Sequence, residues 1–452
     1  MSAPTIEVVT AAQAEERQRR AAGGLRQRGC RPGDRVAFCL PSSVALLTTV
    51  LGALRTGVVP VMLNATLLPH ERQALVDDAR PRLTITEASQ LAELAASSPV
   101  ELAEHPLSRP MHYTSGTTGR PKGVWAGLWD ERTAAAAFED EADLWSFGPD
   151  DVHLVCSPMY HSVSTRFAAG TLLRGGTCVV LGRFEPAAAI GALRGEAGAV
   201  PTTTFMAPAA LQRLFAALDD DARQVLGHLR LLAHAGSACP PAVKHAALDV
   251  LLPDTLWEFY GSTEGQFTAC SPEEWLARPG TVGRARPGRT LATDADGTIW
   301  CRPPAFGVFR YWEDDVKTES AWRDGYFTVG DLGRLDAGGY LFIDGRRDDL
   351  IISGGVNVYP AEVEAVLSEV DGVADVAVFG MPDARWGERV CAALVARPGQ
   401  VEDRLSDAVA DYALSRLAPY KRPKQYVVVE DLPRTATGKV QRHRLSLLAG
   451  EP

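Results

Sequence analysis

Arg35–Ile85 reads RVAFCLPSSVALLTTVLGALRTGVVPVMLNATLLPHERQALVDDARPRLTI. Three short apolar runs, Val36–Leu40, Val58–Met62 and Leu83–Ile85, alternate with helical patterns at Val44–Arg55 and Pro69–Ala79, a βαβαβ rhythm. The same rhythm resumes with Val152–Cys156, a helix at Thr165–Leu173, Thr177–Leu181, a helix at Pro186–Arg194, Thr202–Met206, Leu229–Ala233 and Leu256–Phe259. Such alternation predicts helix-covered, largely parallel sheets, with ligands received by loops at the strand ends. Around Thr281–Tyr340 the texture changes to frequent Gly, Pro and Asp with short strands at Thr298–Cys301 and Tyr340–Ile343, which predicts a small antiparallel β subdomain. After the charged run Arg346-Arg347-Asp348-Asp349, helices at Pro360–Ser368 and Val401–Leu417 alternate with strands at Val373–Phe379, Val390–Val395 and Gln425–Val429, a small separate α/β domain. The expected organisation is a large α/β domain over 1–345, a hinge at 346–348 and a mobile α/β domain over 349–452.

The 452 residues exceed one ordinary core, and 46% hydrophobic with 23% charged residues suits folded domains rather than a disordered chain. A formal net charge of -10 excludes a general nucleic-acid binder, so any anionic ligand must meet local positive charge. The apolar stretch Val44–Leu54 is about half the roughly 20 residues that span a bilayer, which predicts a buried helix and no membrane span. The first thirty residues lack an apolar leader core, so the expected location is cytoplasmic. Eight scattered cysteines without a C-x-x-C pattern predict buried thiols in a reducing compartment.

Tyr113-Thr114-Ser115-Gly116-Thr117-Thr118-Gly119-Arg120-Pro121-Lys122-Gly123-Val124 combines hydroxyls, glycines and a lysine without an apolar interior. Backbone N–H groups, hydroxyls and one cation suit phosphate oxygens. It is not a Walker A loop, because Gly rather than Ser or Thr follows Lys122. Further motifs follow in order: His234-Ala-Gly-Ser-Ala238, Glu258-Phe-Tyr-Gly-Ser-Thr-Glu-Gly265, Gly325-Tyr-Phe-Thr-Val-Gly-Asp331, Gly345-Arg-Arg-Asp-Asp-Leu-Ile-Ile-Ser-Gly-Gly355 and Pro433-Arg-Thr-Ala-Thr-Gly-Lys439.

On these motifs, over the whole chain from about Pro32, the sequence resembles the superfamily of acyl-CoA synthetases, peptide-synthetase adenylation domains and luciferases. The resemblance implies an AMP-forming ligase that activates a small acid with ATP and Mg²⁺ and passes the acyl group to a thiol. It places Thr114, Ser115, Gly116, Thr117, Thr118, Gly119 and Lys122 on the phosphates. Tyr260 would stack on adenine against Gly236, Ser237 and Ala238, within the motif Glu258-Phe259-Tyr260-Gly261. Thr263 would contact the α-phosphate and Glu264 would hold Mg²⁺, since a carboxylate suits a hard cation. Asp331 would accept both ribose hydroxyls, with Arg346 at the same sugar. Lys439 would neutralise charge as the carboxylate attacks the α-phosphate. Ser157-Pro-Met-Tyr-His161 resembles the mouth of the acyl pocket, with His161 and His234 near the acid; either could equally be a hydrogen-bonded core histidine, and neither is assigned as a base.

For the thiol half, Tyr412–Arg444 carries eight basic residues against two acidic, a local excess of six in an acidic protein. Within it Tyr420, Arg422 and Lys424, with Trp386, resemble the coenzyme A nucleotide site. Gly354 and Gly355 resemble the loop lining the pantetheine channel, and Asp348 matches the family's hinge. The acid-pocket walls fall in the least recognisable stretches, Trp125–Phe147 and Ser162–Phe167, so the acid stays unnamed. Two other uses of the same machinery stay open: loading a carrier protein, and activating nitrite for diazotisation. A catalytically silent nucleotide-binding protein is disfavoured by intact Lys122, Thr263, Glu264, Asp331 and Lys439.

Overall fold

The structure, a computed structural model, describes residues 4–449 apart from 115–121, 219–221, 347–348, 354–355, 384–386, 401, 418 and 436–438. The chain divides into two compact units, Met1–Leu291 with Cys301–Phe327, and Ala292–Trp300 with Thr328–Pro452.

The first unit begins with β1 (Ile6–Thr10) and α1 (Ala11–Gln27), which the sequence pattern did not announce. Thr10 caps α1 in a capping box with Gln13, and β1 runs antiparallel to a strand far along the chain, Thr177–Leu181. The βαβαβ stretch follows as β2 (Arg35–Phe38), α2 (Val44–Leu54), β3 (Val59–Met62), α3 (Pro69–Ala79) and β4 (Leu83–Ile85). Next come α4 (Ala88–Ala95), β5 (Met111–Thr114), β6 (Lys122–Trp125) and α5 (Glu131–Trp145). The second alternating series is β7 (Val152–Val155), α6 (Ser162–Leu173), β8 (Thr177–Leu181), β9 (Thr203–Met206), β10 (Leu231–His234) and β11 (Leu256–Gly261), closed by β12 (Gln266–Cys270) and β13 (Thr281–Ala285).

One sheet runs Arg310–Tyr311, β6, β5, β3, β2, β4, with β5–β3–β2–β4 parallel. The other runs β1, β8, β7, β9, β10, β11, β12, β13, parallel from β8 to β11 and antiparallel at both flanks. Central parallel strands are covered on both faces, which is why β3 and β9 are buried at every residue. Helix α2 is buried along almost its whole length and packs with Leu25 of α1, Phe38 of β2 and Val180 of β8 in one apolar cluster. The α1–α2 crossing is close enough that a Cβ on Gly52 would lie 2.5 Å from the Gln18 carbonyl oxygen. In the β-rich segment Cys301 pairs with Phe327 and Phe327 with Trp322, short antiparallel contacts of the kind the Gly- and Asp-rich texture predicted. The eight cysteines are free thiols, seven of them buried.

In the second unit Asp331–Leu335 and Tyr340–Arg346 form an antiparallel hairpin. Ile351–Ser353, Val356–Val358, Val373–Asp383, Gly387–Ala396 and Gln425–Val428 form a five-stranded sheet. Helices Pro360–Leu367 and Glu402–Arg416 contribute Val363, Leu367, Leu405 and Val409 to its core. Among the described residues no helix is long and apolar enough to cross a membrane.

Three histidines sit on strands inside the first unit: His112 on β5, His153 on β7 and His234 on β10. Burial pulls His112 and His153 down to about 3, and burial with the nearby Lys244 cation pulls His234 well below its usual range. All three are neutral when folded and protonate on unfolding below about pH 6.5, so stability falls as pH drops from about 6.5 toward 3. Each should contribute a slope of about 1.4 kcal/mol per pH unit across that window. Urea unfolding at pH 7, 6 and 5 checks this, with His153→Gln expected to flatten the slope; stability flat over that range is the contrary result.

Candidate functional site

Thr114 lies opposite Lys122 in the antiparallel register of β5 and β6, which brings the two ends of the glycine-rich segment together. Ser115, Gly116, Thr117, Thr118 and Gly119 lie outside the described residues, as does the side chain of Thr114. Lys122 opens β6, with Nζ 5.8 Å from the centre of the Tyr311 ring. Burial and then the Lys317 cation lower its pKa.

Beside it, β11 ends in a tight turn. The Ser262 N–H donates to the Gly265 carbonyl at 2.8 Å, and the Glu264 N–H donates to Ser262 Oγ at 3.2 Å. The close approach needs glycine at both ends: a Cβ on Gly261 would lie 2.9 Å from the Gly265 oxygen, and one on Gly265 would meet the Phe327 ring at 2.6 Å. The turn puts Thr263 on the wall of a cavity and buries the Glu264 carboxylate, whose Oε1 accepts the Tyr311 hydroxyl at 2.9 Å. Tyr311 comes from the short strand paired with β6, opposite Val124. It therefore touches both the lysine and the acid, a role that no motif in the sequence signals.

The neighbouring motif residues divide between exposed and interior positions. The His234–Ala238 segment leaves the carboxyl end of β10, and Gly236 has φ +96°, which glycine adopts at no steric cost. Ser237 and Ala238 are exposed. Tyr260 is mostly buried, its ring 4.7 Å from that of Phe267. Phe259 turns into an aromatic cluster with Trp145, Phe167 and Phe205. The Glu258 carboxylate pairs with the buried Lys244 ammonium, which also lies over the Trp275 ring. His234 is wholly buried and does not line the cavity. His161 immediately precedes α6, its ring 4.4 Å from the Tyr160 ring, and is not among the lining residues either.

The cavity, about 140 Å³, lies within the first unit. Its apolar walls include Leu54, Trp129, Ala134, Ala137 and Phe138, and its polar walls include Arg109, His112, Glu141, Thr165, Arg166 and Thr263. Both stretches read from the sequence as unrecognisable pocket wall, Trp125–Phe147 and Ser162–Phe167, contribute to it. His112 Nδ1 lies 2.8 Å from the Tyr160 carbonyl, so that nitrogen carries the proton and Nε2 is left as a buried acceptor without a hydrogen-bond partner among the described residues. Burial alone would raise the Glu141 carboxyl, but Arg166 and Arg286 hold it down at about 2. These charged residues were not identified from the sequence, because no spacing rule brings Arg109, Glu141 and Arg166 together.

In the second unit Asp331 is buried at the start of its strand, and Arg346 is its cross-strand partner in the hairpin. The register thus sets side by side the two residues expected at one sugar. Asp348, Gly354, Gly355 and Trp386 lie outside the described residues. Tyr420 is exposed. Arg422 donates from Nε to the Leu417 carbonyl at 2.8 Å and from Nη2 to Leu414 at 3.0 Å, closing the C-terminal end of the helix Glu402–Arg416. Lys424 Nζ donates to the Pro419 carbonyl at 2.9 Å. Arg442 pairs with Asp349 at 3.0 Å and Glu364 at 2.7 Å, Arg434 with Asp375 and Lys421 with Glu362, so the basic excess counted along the sequence is partly neutralised by acids from elsewhere. Lys439 is exposed at the foot of a loop whose stem is the antiparallel bridge between Arg434 and Val440.

Comparison with known proteins agrees with this geometry. The profile of the AMP-binding enzyme family matches residues 5–108 and 109–299, and that of the AMP-binding enzyme C-terminal domain matches 362–439. A long-chain-fatty-acid–CoA ligase, FadD13 of Mycobacterium tuberculosis, is 30% identical over 97% of this chain and 92% of its own. A feruloyl-CoA synthase of an Amycolatopsis species is 33% identical over 96% of this chain and 92% of its own. The crystal structure of ATP-bound MatB from Rhodopseudomonas palustris superposes with a TM-score of 0.84 at 29% identity, covering 97% of this chain and 93% of that one. With both profiles matched in order along the chain, the protein belongs to the AMP-binding enzyme family, whose members among these relatives are acyl- and aryl-CoA ligases.

Proposed function

We propose that this protein is an ATP-dependent ligase that joins a small carboxylic acid to coenzyme A through an acyl-AMP intermediate. The observation that carries the reading is the Ser262–Gly265 turn, which places Thr263 on a partly apolar cavity next to a buried, oriented Glu264. Relatives named as fatty-acid–CoA and feruloyl-CoA ligases supply the acceptor.

In the first step a carboxylate oxygen of the acid bonds to the α-phosphorus of ATP and the bond to pyrophosphate breaks. Thr263 donates its hydroxyl to an α-phosphate oxygen, and Lys122 with the glycine-rich segment before it holds the outer phosphates. The Glu264 side chain fits a hard cation: Tyr311 occupies one carboxylate oxygen and leaves the other to a Mg²⁺ that keeps several waters. When bound, that ion would neutralise phosphate charge. Tyr260 and Gly236–Ala238 hold adenine, Asp331 with Arg346 holds the ribose, and Lys439 offsets the charge that develops at the α-phosphate. In the second step the thiol of coenzyme A attacks the acyl carbon and AMP leaves, with Tyr420, Arg422, Lys424, Trp386 and the Gly354–Gly355 loop at the acceptor, and with rotation about Asp348 exchanging the two arrangements.

A pyrophosphate-release screen over carboxylic acids and nitrite, with and without coenzyme A, tests the reading. AMP and pyrophosphate are the expected nucleotide products, with thioester formed only when coenzyme A is present. ADP and phosphate would refute adenylation, and release with nitrite alone would replace the acid.

Lys439→Ala should slow acyl-AMP formation by about 10²–10³. Given ready-made acyl-AMP and coenzyme A, it should form thioester at close to the parental rate. Rapid-quench measurement of each half-reaction decides this, and equal losses in both steps would contradict the two-arrangement mechanism.

Tyr311→Phe removes the hydroxyl that orients Glu264. The Mg²⁺ concentration for half-maximal pyrophosphate release should rise on the order of tenfold, with the rate largely recovered at saturating Mg²⁺. A rate loss that Mg²⁺ does not relieve would mean that Tyr311 acts on the chemistry by another route.

A further inference from the structure

The cavity wall holds more positive charge than its own carboxylates neutralise. Asp140 serves Arg286 at 2.9 Å and also Arg289, while Glu141 serves Arg286 at 3.1 Å and the Trp145 indole N–H at 2.9 Å. Arg166, on α6, reaches Glu141 only at 3.6 Å, beyond hydrogen-bond length, and its Nε and Nη2 have no hydrogen-bond partner among the described residues. These two atoms form the side-on edge of a guanidinium, the edge that grips a carboxylate bidentately. Arg109, just ahead of β5, donates from Nη1 to the Glu264 carbonyl at 3.3 Å and leaves Nη2 without a partner. Buried guanidinium nitrogens without hydrogen-bond partners are unfavourable unless an anion nearby offsets their charge.

Both arginines line the same cavity as Thr263. Arg109 is tied to the turn where the reacting carboxylate would lie, whereas Arg166 is tied to the α5–α6 wall. An acid with one carboxylate satisfies the turn and leaves Arg166 idle. Resting on the ligase reading above, we propose that the acid carries a second anionic group, a carboxylate at the far side of a short apolar body, received by the Arg166 guanidinium with Arg109 beside it. The apolar body fits between Phe138 and Ala137 on α5 and Leu54.

The test compares acids matched in skeleton, hexanoate with adipate and benzoate with isophthalate, as kcat/KM for pyrophosphate release by the full chain. In the parent the dicarboxylate should be preferred on the order of 10²-fold or more, because a site built around hydrogen-bonding groups rejects the analogue lacking their partner. Arg166→Gln should bring that ratio close to one, and Arg166→Lys should keep part of it. A parent that prefers the monocarboxylate, or a ratio unmoved by Arg166→Gln, overturns the proposal. So does an equal loss for both acids with a rise in the ATP KM, which would assign the arginines to the nucleotide. The parental ratio decides the matter even if the substituted chains fold poorly. Calorimetric binding of adipate and hexanoate to the parent separates the two readings. If no acid releases pyrophosphate, the ligase reading fails, while tighter binding of adipate still upholds the anion site and equal binding removes it.

Discussion

Two neighbouring carboxylates in the middle of α5 hold the cavity side of the large unit together. Asp140 and Glu141 together receive Arg286, whose side chain is completely buried, and Asp140 also receives Arg289. Arg286 follows β13 directly, so the pairs clamp α5 onto the end of the larger sheet. Arg289 donates in addition to the Gln266 carbonyl at 3.1 Å, just after the Ser262–Gly265 turn. Removing one partner from such a buried set typically costs about 3–5 kcal/mol, because it strands the opposite charge in the interior. The α5 wall and the Ser262–Gly265 turn are thus positioned by one ionic framework.

Close backbone approach is the second constraint. Where β11 turns into β12, glycines at both ends let the chain reverse within four residues, putting Thr263 on the cavity wall and Glu264 in the interior beside Tyr311. Where α2 crosses α1, Gly52 lets the helix lie against the Gln18 main chain, and Gly24 of α1 does the same against Leu94 of α4. A methyl at these points would force backbone apart in a close-packed interior. The turn beside the cavity and the helix packing depend on the same property of glycine.

In the small unit, Arg442 shows how positive charge takes a structural role. It bonds to the Val378 carbonyl at 2.9 Å, to Asp349 and to Glu364, linking its helix to the edge strand Val373–Asp383, to the segment just before Ile351–Ser353 and to the helix Pro360–Leu367. Arg422 closes the C-terminal end of the helix Glu402–Arg416, where exposed carbonyls and the helix dipole favour a cation. Part of the basic composition near the C-terminus therefore serves to fold the unit.

Local sequence was enough for the strands and helices expected within Arg35–Ile85 and Val152–Phe259, because strand and helix periods are short-range properties of side-chain placement. It was enough also for Thr263, Glu264, Lys122, Asp331 and Lys439 as candidates, since each sits in a contiguous motif of distinctive composition. The strand β1 and helix α1 were not legible: β1 is completed only by pairing with β8, some 170 residues later in the chain, and α1 is polar along much of its length. Tyr311 became part of the site only through the pairing of its two-residue strand with β6. The same holds for the cavity's charge. Arg109, Glu141 and Arg166 stand on three separate elements, and burial, which turns an ordinary surface cation into a demand for an anion, is a property of the packed interior that no run of sequence carries by itself.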